Sequence, residues 1–137
     1  MDRDGFAGWL ERYVAAWRTY DPQAIGDLFS AEVTYRYHPQ DEPIRGRAAI
    51  VADWLESPDA PGSWRSHYAP YAVDGDRAVM HGHTEYVAAD GETVERTFYN
   101  VWLCVFDAEG CCTDFTEYYM EPRRRVVEGV VDEAPAA

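Results

Sequence analysis

Long apolar runs are missing from this sequence, and no stretch could span a bilayer. The opening "MDRDGFAGWLERY" begins on charged residues and lacks an apolar run, so no secretory signal is expected there. Cysteine is scarce: Cys104, Cys111 and Cys112 are the only three. An odd count with an adjacent pair excludes a disulfide framework and fits a reducing compartment, so a cytoplasmic location is expected. No cysteine or histidine spacing matches a structural zinc site. Basic residues are few, 12 against 25 acidic, for a formal charge of −13. Such a field repels nucleic acid and anionic membranes, so neither is expected as a partner. It also disfavours strongly anionic substrates. No internal repeat is visible.

Aromatic residues are plentiful. They make up 15% of the chain, with ten Tyr and five Trp, inside an apolar total of 47%. Rings with polar tips suit the wall of a small-molecule pocket as well as a core. A length of 137 residues fits one domain with a core of its own.

Phe6, Trp9, Leu10, Tyr13, Val14 and Trp17 recur at helical spacing and predict one amphipathic helix. Asp21-Pro22 reads as an N-cap followed by proline at the first helical position, opening a short second helix through Ile25 and Leu28. "EVTYRYHP" predicts a strand stopped by Pro39, and "QDEPIRG" a turn-rich connection. Ile50, Val51, Trp54 and Leu55 mark a third helix that ends before Ser57-Pro58. From Trp64 the period changes to two. Residues 64–73, 76–88, 93–106 and 111–121 predict four strands, separated by Asp74-Gly75, Asp90-Gly91 and Glu109-Gly110 as hairpin turns. The domain is expected to cover residues 1–122, with 123–137 a partly frayed tail.

The stretches "RYVAAWRTYDPQAIGDLFS", "EPIRGRAAI" and "VFDAEGCCTDFTEYY", in this element order, resemble the nuclear transport factor 2-like superfamily. Within it they are most similar to SnoaL-like polyketide cyclases and ketosteroid isomerases, over about residues 5–121. The resemblance implies an α+β, cone-shaped fold, with three N-terminal helices packed on a strongly curved mixed, mostly antiparallel sheet. It implies a likeness in fold more than in activity, because the superfamily hosts several chemistries and non-catalytic binders.

Functional positions carry over one at a time. Tyr13, in "ERY", resembles the tyrosine that donates to the enolate oxygen in ketosteroid isomerases. Their base aspartate precedes a proline, and here His38-Pro39 precedes "DEPIRG". Counting back from Gly46 without gaps puts Tyr37 at that position instead of His38, and both stay open. The second oxyanion donor of the isomerases, a protonated aspartate, falls on Trp102, which can donate through its indole N–H but is no acid. That departure argues against steroid isomerisation. Glu117 resembles the final-strand carboxylate of the cyclases, where the family uses aspartate. By strand period Phe115, Glu117 and Tyr119 share a face, which puts a carboxylate between rings and should raise its pKa by desolvation.

The expected function is therefore cofactor-independent acid/base catalysis, of cyclase or isomerase type, on a small apolar carbonyl compound. Glu117 or His38 would be the base, Tyr13 and Trp102 the donors. Tyr35, Tyr37, Trp54, Phe98, Asn100 and Tyr119 would line the pocket. The alternatives are a non-catalytic binder of the same fold and an epoxide hydrolase or dehydratase to which Glu117 and Asn100 contribute. No cofactor or metal is expected. His81, His83 and Glu85 share a strand face with metal-ligand chemistry, but the family register turns that face outward. A homodimer through the outer sheet face is expected.

Overall fold

The structure, a computed structural model, describes residues 1–127 and 130–133. Helix α1 runs Arg3–Thr19, α2 Pro22–Gly26 and α3 Arg47–Glu56. The strands are β1 Phe29–Arg36, β2 Ile44–Arg45, β3 Trp64–Asp74, β4 Arg77–Val87, β5 Val94–Phe106 and β6 Cys112–Met120, followed by β7 Arg124–Val127 and β8 Val130–Glu133. Asp21 caps α2, its side chain accepting from the Gln23 N–H, with Pro22 at the first helical position. The hairpin glycines Gly75, Gly91 and Gly110 all have positive φ, which an L side chain would resist.

Six strands form one mixed sheet in the order β2-β1-β6-β5-β4-β3. β1 pairs with β6 in parallel and the other ladders are antiparallel. The expectation of a strongly curved, cone-shaped sheet is corrected. The sheet is open, with β2 and β3 at opposite edges and not paired to each other. A physical reason lies in the ladders. Strong bending needs bulges or kinks within the strands. Here the central β4 and β5 pair without a break from Arg77↔Val105 to Tyr86↔Arg96, and the register shifts inside strands, between Pro70 and Ala72 of β3 and between Phe29 and Thr34 of β1, lie in the ladders outside them. Edge strand β2 is only two residues long, too short to carry a closing ladder.

A second sheet exists as well. β7 and β8 pair as a two-stranded ribbon in the segment expected to fray. Residues 128–129 and 134–137 of that tail lie outside the described residues. The two-residue β2, inside the expected turn-rich connection, pairs Thr34↔Arg45 and Tyr35↔Ile44 with β1.

The helices cover one face of the six-stranded sheet. Phe6, Trp9, Leu10, Tyr13 and Ala16 of α1 pack with Ile50 and Trp54 of α3 against Val33, Tyr35, Met80, Trp102 and Phe115 from the strands. Each fully buried side chain of this size stabilises the fold by roughly 1.5–3 kcal/mol relative to exposure. The other face leaves Tyr99, Val101, Leu103 and Tyr118 exposed. No helix among the described residues is long and apolar enough to cross a membrane.

Candidate functional site

The helix-covered face does not fill completely. A cavity of about 400 Å³ remains between α1, α3 and strands β1 and β3 to β6. Strand alternation delivers Glu117 into it, opposite Trp102 on β5. The half-buried carboxylate accepts two hydrogen bonds at Oε2, from the Trp102 indole N–H at 2.8 Å and from Asn100 Nδ2 at 2.8 Å. No other hydrogen bond reaches it from the described residues. Oε1 is therefore the oxygen left to exchange a proton with a ligand. Burial pushes the Glu117 pKa above the ordinary 4.5, against the opposing pull of its two donors and the nearby His38.

The direction of the surrounding protons follows from the donors. The Thr84 hydroxyl donates to Asn100 Oδ1 at 2.9 Å. Its single proton is then spent, so the bond between Tyr68 and Thr84 has Tyr68 as donor. Tyr68, Thr84 and Asn100 thus form one chain that points at Glu117. Tyr68→Phe keeps the ring and removes the first donor. It should cost about 1 kcal/mol of stability in a thermal melt. It should also move the acid limb of any activity profile to higher pH, because the orientation of Asn100 loosens and the ionised carboxylate loses support. A drop in stability without that displacement would leave Tyr68 a packing residue only.

Tyr13 and Tyr35 both line the cavity, and their hydroxyls are 2.8 Å apart. One donates to the other, which leaves the second proton for a ligand oxygen. Burial pushes both pKa values up, and the Glu117 charge adds to it, so both stay neutral donors. Trp102 differs from expectation: the N–H expected at an enolate oxygen is donated to Glu117.

His38 does not line the cavity. Its Nδ1 lies 3.1 Å from Asp41 Oδ2 and its Nε2 3.0 Å from the Tyr119 hydroxyl. A proton held on Nδ1 by Asp41 makes Nε2 the acceptor, so Tyr119 donates to His38. Tyr37, the other reading of the isomerase base position, does line the cavity and donates to Asp53 Oδ2 at 2.6 Å. Trp54, Phe98, Asn100 and Tyr119 also line the cavity.

Several lining residues escaped the sequence reading: Trp17, Tyr20, Asp53, Asp59, Tyr68 and Tyr86. Trp17 lies one turn beyond Tyr13 on the same helix face, a signal that was available. Tyr20 was not foreseeable. It sits at the C-cap of α1 with φ 52°, a left-handed conformation rare outside glycine, and its hydroxyl takes the Asp59 N–H at 2.8 Å.

The metal-capable group differs from the expected one. His67 on β3 sits directly opposite His83 on β4, and with Glu85 their ligand atoms lie within 4.8 Å of one another. The His81 ring lies tilted beside Tyr71 instead, their centroids 5.2 Å apart. Two imidazoles and a carboxylate could hold a divalent ion, but Glu85 Oε1 already faces His67 at 3.2 Å and Arg65 at 3.6 Å. A chelator is expected to leave the melting temperature unchanged, and a marked drop would make this trio a structural metal site.

The SnoaL-like domain family matches residues 10–107. No curated protein matches the sequence. Among solved structures, a nuclear transport factor 2-like protein of unknown function from Burkholderia xenovorans LB400 is similar with a TM-score of 0.67 at 18% identity, over 90% of this chain and 88% of that one. A proposed ketosteroid isomerase from Kribbella flavida DSM 17836 gives 0.66 at 19% identity, over 98% and 93%. An epoxide hydrolase/cyclase-like enzyme of pyran ring formation in the polyether salinomycin gives 0.68 at 16% identity, over 87% and 93%. At such identities the likeness is one of fold.

Proposed function

Since the chain belongs to the SnoaL-like domain family, we propose that it is an acid/base catalyst acting on a small carbonyl compound, with Glu117 as the proton-transfer group. The observation that carries this reading is the Glu117 carboxylate, lodged in a ring-lined cavity and tethered at Oε2 alone by two N–H donors. A base for C–H abstraction needs a pKa tuned upward, a fixed direction and a site with little water. Glu117 has the first two from burial and from Trp102 and Asn100.

The step balances simply. Glu117 Oε1 takes a proton from the carbon beside the carbonyl, the C–H electron pair becomes the C=C bond of the enolate, and the C=O π pair moves onto the carbonyl oxygen. The free proton of the Tyr13–Tyr35 pair donates to the enolate oxygen so formed. Return of the proton to another atom gives an isomer, and attack of the enolate carbon on a second carbonyl of the same molecule closes a ring, the new alkoxide taking the proton back from Glu117. Tyr119 and His38 give a route from the cavity edge to the exposed imidazole, where a proton can leave.

A second reading is acid-assisted epoxide opening. Neutral Glu117, favoured by burial, would protonate the epoxide oxygen as the C–O bond breaks, while a water or a hydroxyl of the same molecule bonds to the ring carbon and gives up its proton to solvent; the burial that raises the Glu117 pKa favours this reading. The test is exchange. Small cyclic and open-chain ketones are incubated with the protein in D2O, and deuterium uptake beside the carbonyl is followed by NMR. Uptake above the buffer rate is expected for ketones that the cavity admits. No uptake across the panel, with epoxide turnover present, would transfer the assignment to the second reading.

A further inference from the structure

The cavity wall carries charge of one sign. Of its lining residues, Asp53, Glu56, Asp59 and Glu117 are acidic, and none is Arg or His. The chain has no lysine at all. Elsewhere carboxylates find cations: Asp114 pairs with Arg36, Glu85 with Arg65, and Glu121 with Arg96. Among the described residues none of the four cavity carboxylates forms an ion pair. Neutral donors hold three of them instead. Tyr37 donates to Asp53, Trp17 Nε1 donates to Asp59 at 2.9 Å with the Tyr20 hydroxyl at 3.4 Å, and Trp102 and Asn100 donate to Glu117.

Eleven aromatic side chains complete the wall. A ring face is the negative part of its quadrupole and attracts a cation within about 6 Å of its centre. Carboxylates and ring faces therefore act in the same sense. The negative field is felt around the cavity. The Glu117 charge helps raise the pKa of Tyr13, Tyr35, Tyr37, Tyr68 and Tyr86, and the Asp59 charge adds at Tyr86. An enolate forming here would meet the like charge of Asp53, Glu56 and Asp59 from the α3 side, with only neutral donors to offset it. A ligand that brings its own positive charge removes that conflict.

We propose that the ligand of this cavity carries a protonated amine or a quaternary ammonium group, held between the Asp53, Glu56 and Asp59 carboxylates and the surrounding ring faces. On the acid/base reading the substrate is then an amino-ketone. The charge preference rests only on that reading's use of this cavity as the ligand site, and a binding measurement separates it from the reaction.

The test is a charge series on one ring: 2-phenylethylammonium, 2-phenylethanol and 3-phenylpropanoate, titrated calorimetrically into the full chain at neutral pH and fixed ionic strength. The ammonium should bind about ten-fold or more tighter than the alcohol, and the propanoate weakest. In Asp53→Asn and in Asp59→Asn that preference should shrink several-fold, while the alcohol's affinity holds. If loss of the Trp17 and Tyr20 contacts unfolds Asp59→Asn, Asp53→Asn and Glu56→Gln carry the comparison. An alcohol that binds as tightly as the ammonium overturns the proposal. So does the absence of ammonium binding at millimolar concentration, or a preference unchanged in every folded variant. Failure of ketone exchange with the ammonium preference intact would sink the reaction and leave the ligand class standing.

Discussion

Glu117→Gln should lower turnover by on the order of 100-fold or more while ligand affinity changes little. The geometry makes this substitution unusually clean. Both donors, Trp102 Nε1 and Asn100 Nδ2, converge on Oε2. A glutamine can present its carbonyl oxygen there, keep both hydrogen bonds and direct its amide nitrogen into the cavity. Shape and hydrogen bonding survive, and proton transfer is lost. The wild-type pH profile gives a second reading of the same group. As a base Glu117 works only when ionised, so kcat/KM should fall as pH falls, with a midpoint above 4.5 because burial raises its pKa. Stability moves in the opposite sense. A carboxyl whose pKa is higher folded than unfolded favours the folded state while protonated. That advantage is lost as pH rises through the folded pKa. At neutral pH the glutamine variant should therefore melt no lower than the wild type. Steady-state rates and thermal melts at several pH values check all three statements. A glutamine variant with full activity would remove Glu117 from the chemistry.

Local pattern was legible wherever one residue period dominated. The helix face from Phe6 to Trp17, the Asp21-Pro22 cap, the third helix and the four strands after Trp64 are found close to where the periodicity put them. The strand face of Phe115, Glu117 and Tyr119 was legible for the same reason, since alternation fixes which side chains share a side. Long-range geometry was not. Nothing in a strand's own period says whether its sheet is open, and the cone expectation failed there. Nor does it say which neighbour stands opposite, so His67, on the strand before that of His83, went unnoticed until the ladder paired them. The acidic part of the cavity was hidden for another reason. Asp53 sits beside Trp54 on a helix whose apolar face drew the attention, and Asp59 lies in the loop "SPDAPGS", where an acid reads as ordinary solvation. Only packing turns both toward Tyr37, Trp17 and Tyr20. The indole of Trp102 was placed at the right strand position and given the wrong partner, because a donor's target is set by the side chain across the ladder.

Gly82→Ala should destabilise the protein by roughly 3 kcal/mol, lowering the melting temperature by on the order of 10 °C, and should suppress activity in what remains folded. Gly82 is on β4 between Tyr68 of β3 and Asn100 of β5. A Cβ added there would lie 2.0 Å from the His67 carbonyl oxygen, 2.9 Å from its carbon and 3.0 Å from the Tyr68 Cα. All three are backbone atoms, so no side-chain rotation relieves the clash and β3 itself must shift. β3 carries Tyr68, the first donor of the chain that reaches Glu117 through Thr84 and Asn100. One methyl group thus strains the ladder and disturbs the site from outside it. The control is Gly8→Ala on α1, where an added Cβ meets nothing within 4 Å. There the same chemical change removes unfolded-state freedom and should stabilise by about 0.5–1 kcal/mol. Urea unfolding of the two variants beside the wild type tests the pair. Equal small effects at both positions would mean that β3 does not approach β4 as closely as the ladder shows, and the route from Tyr68 to Glu117 would lose its support.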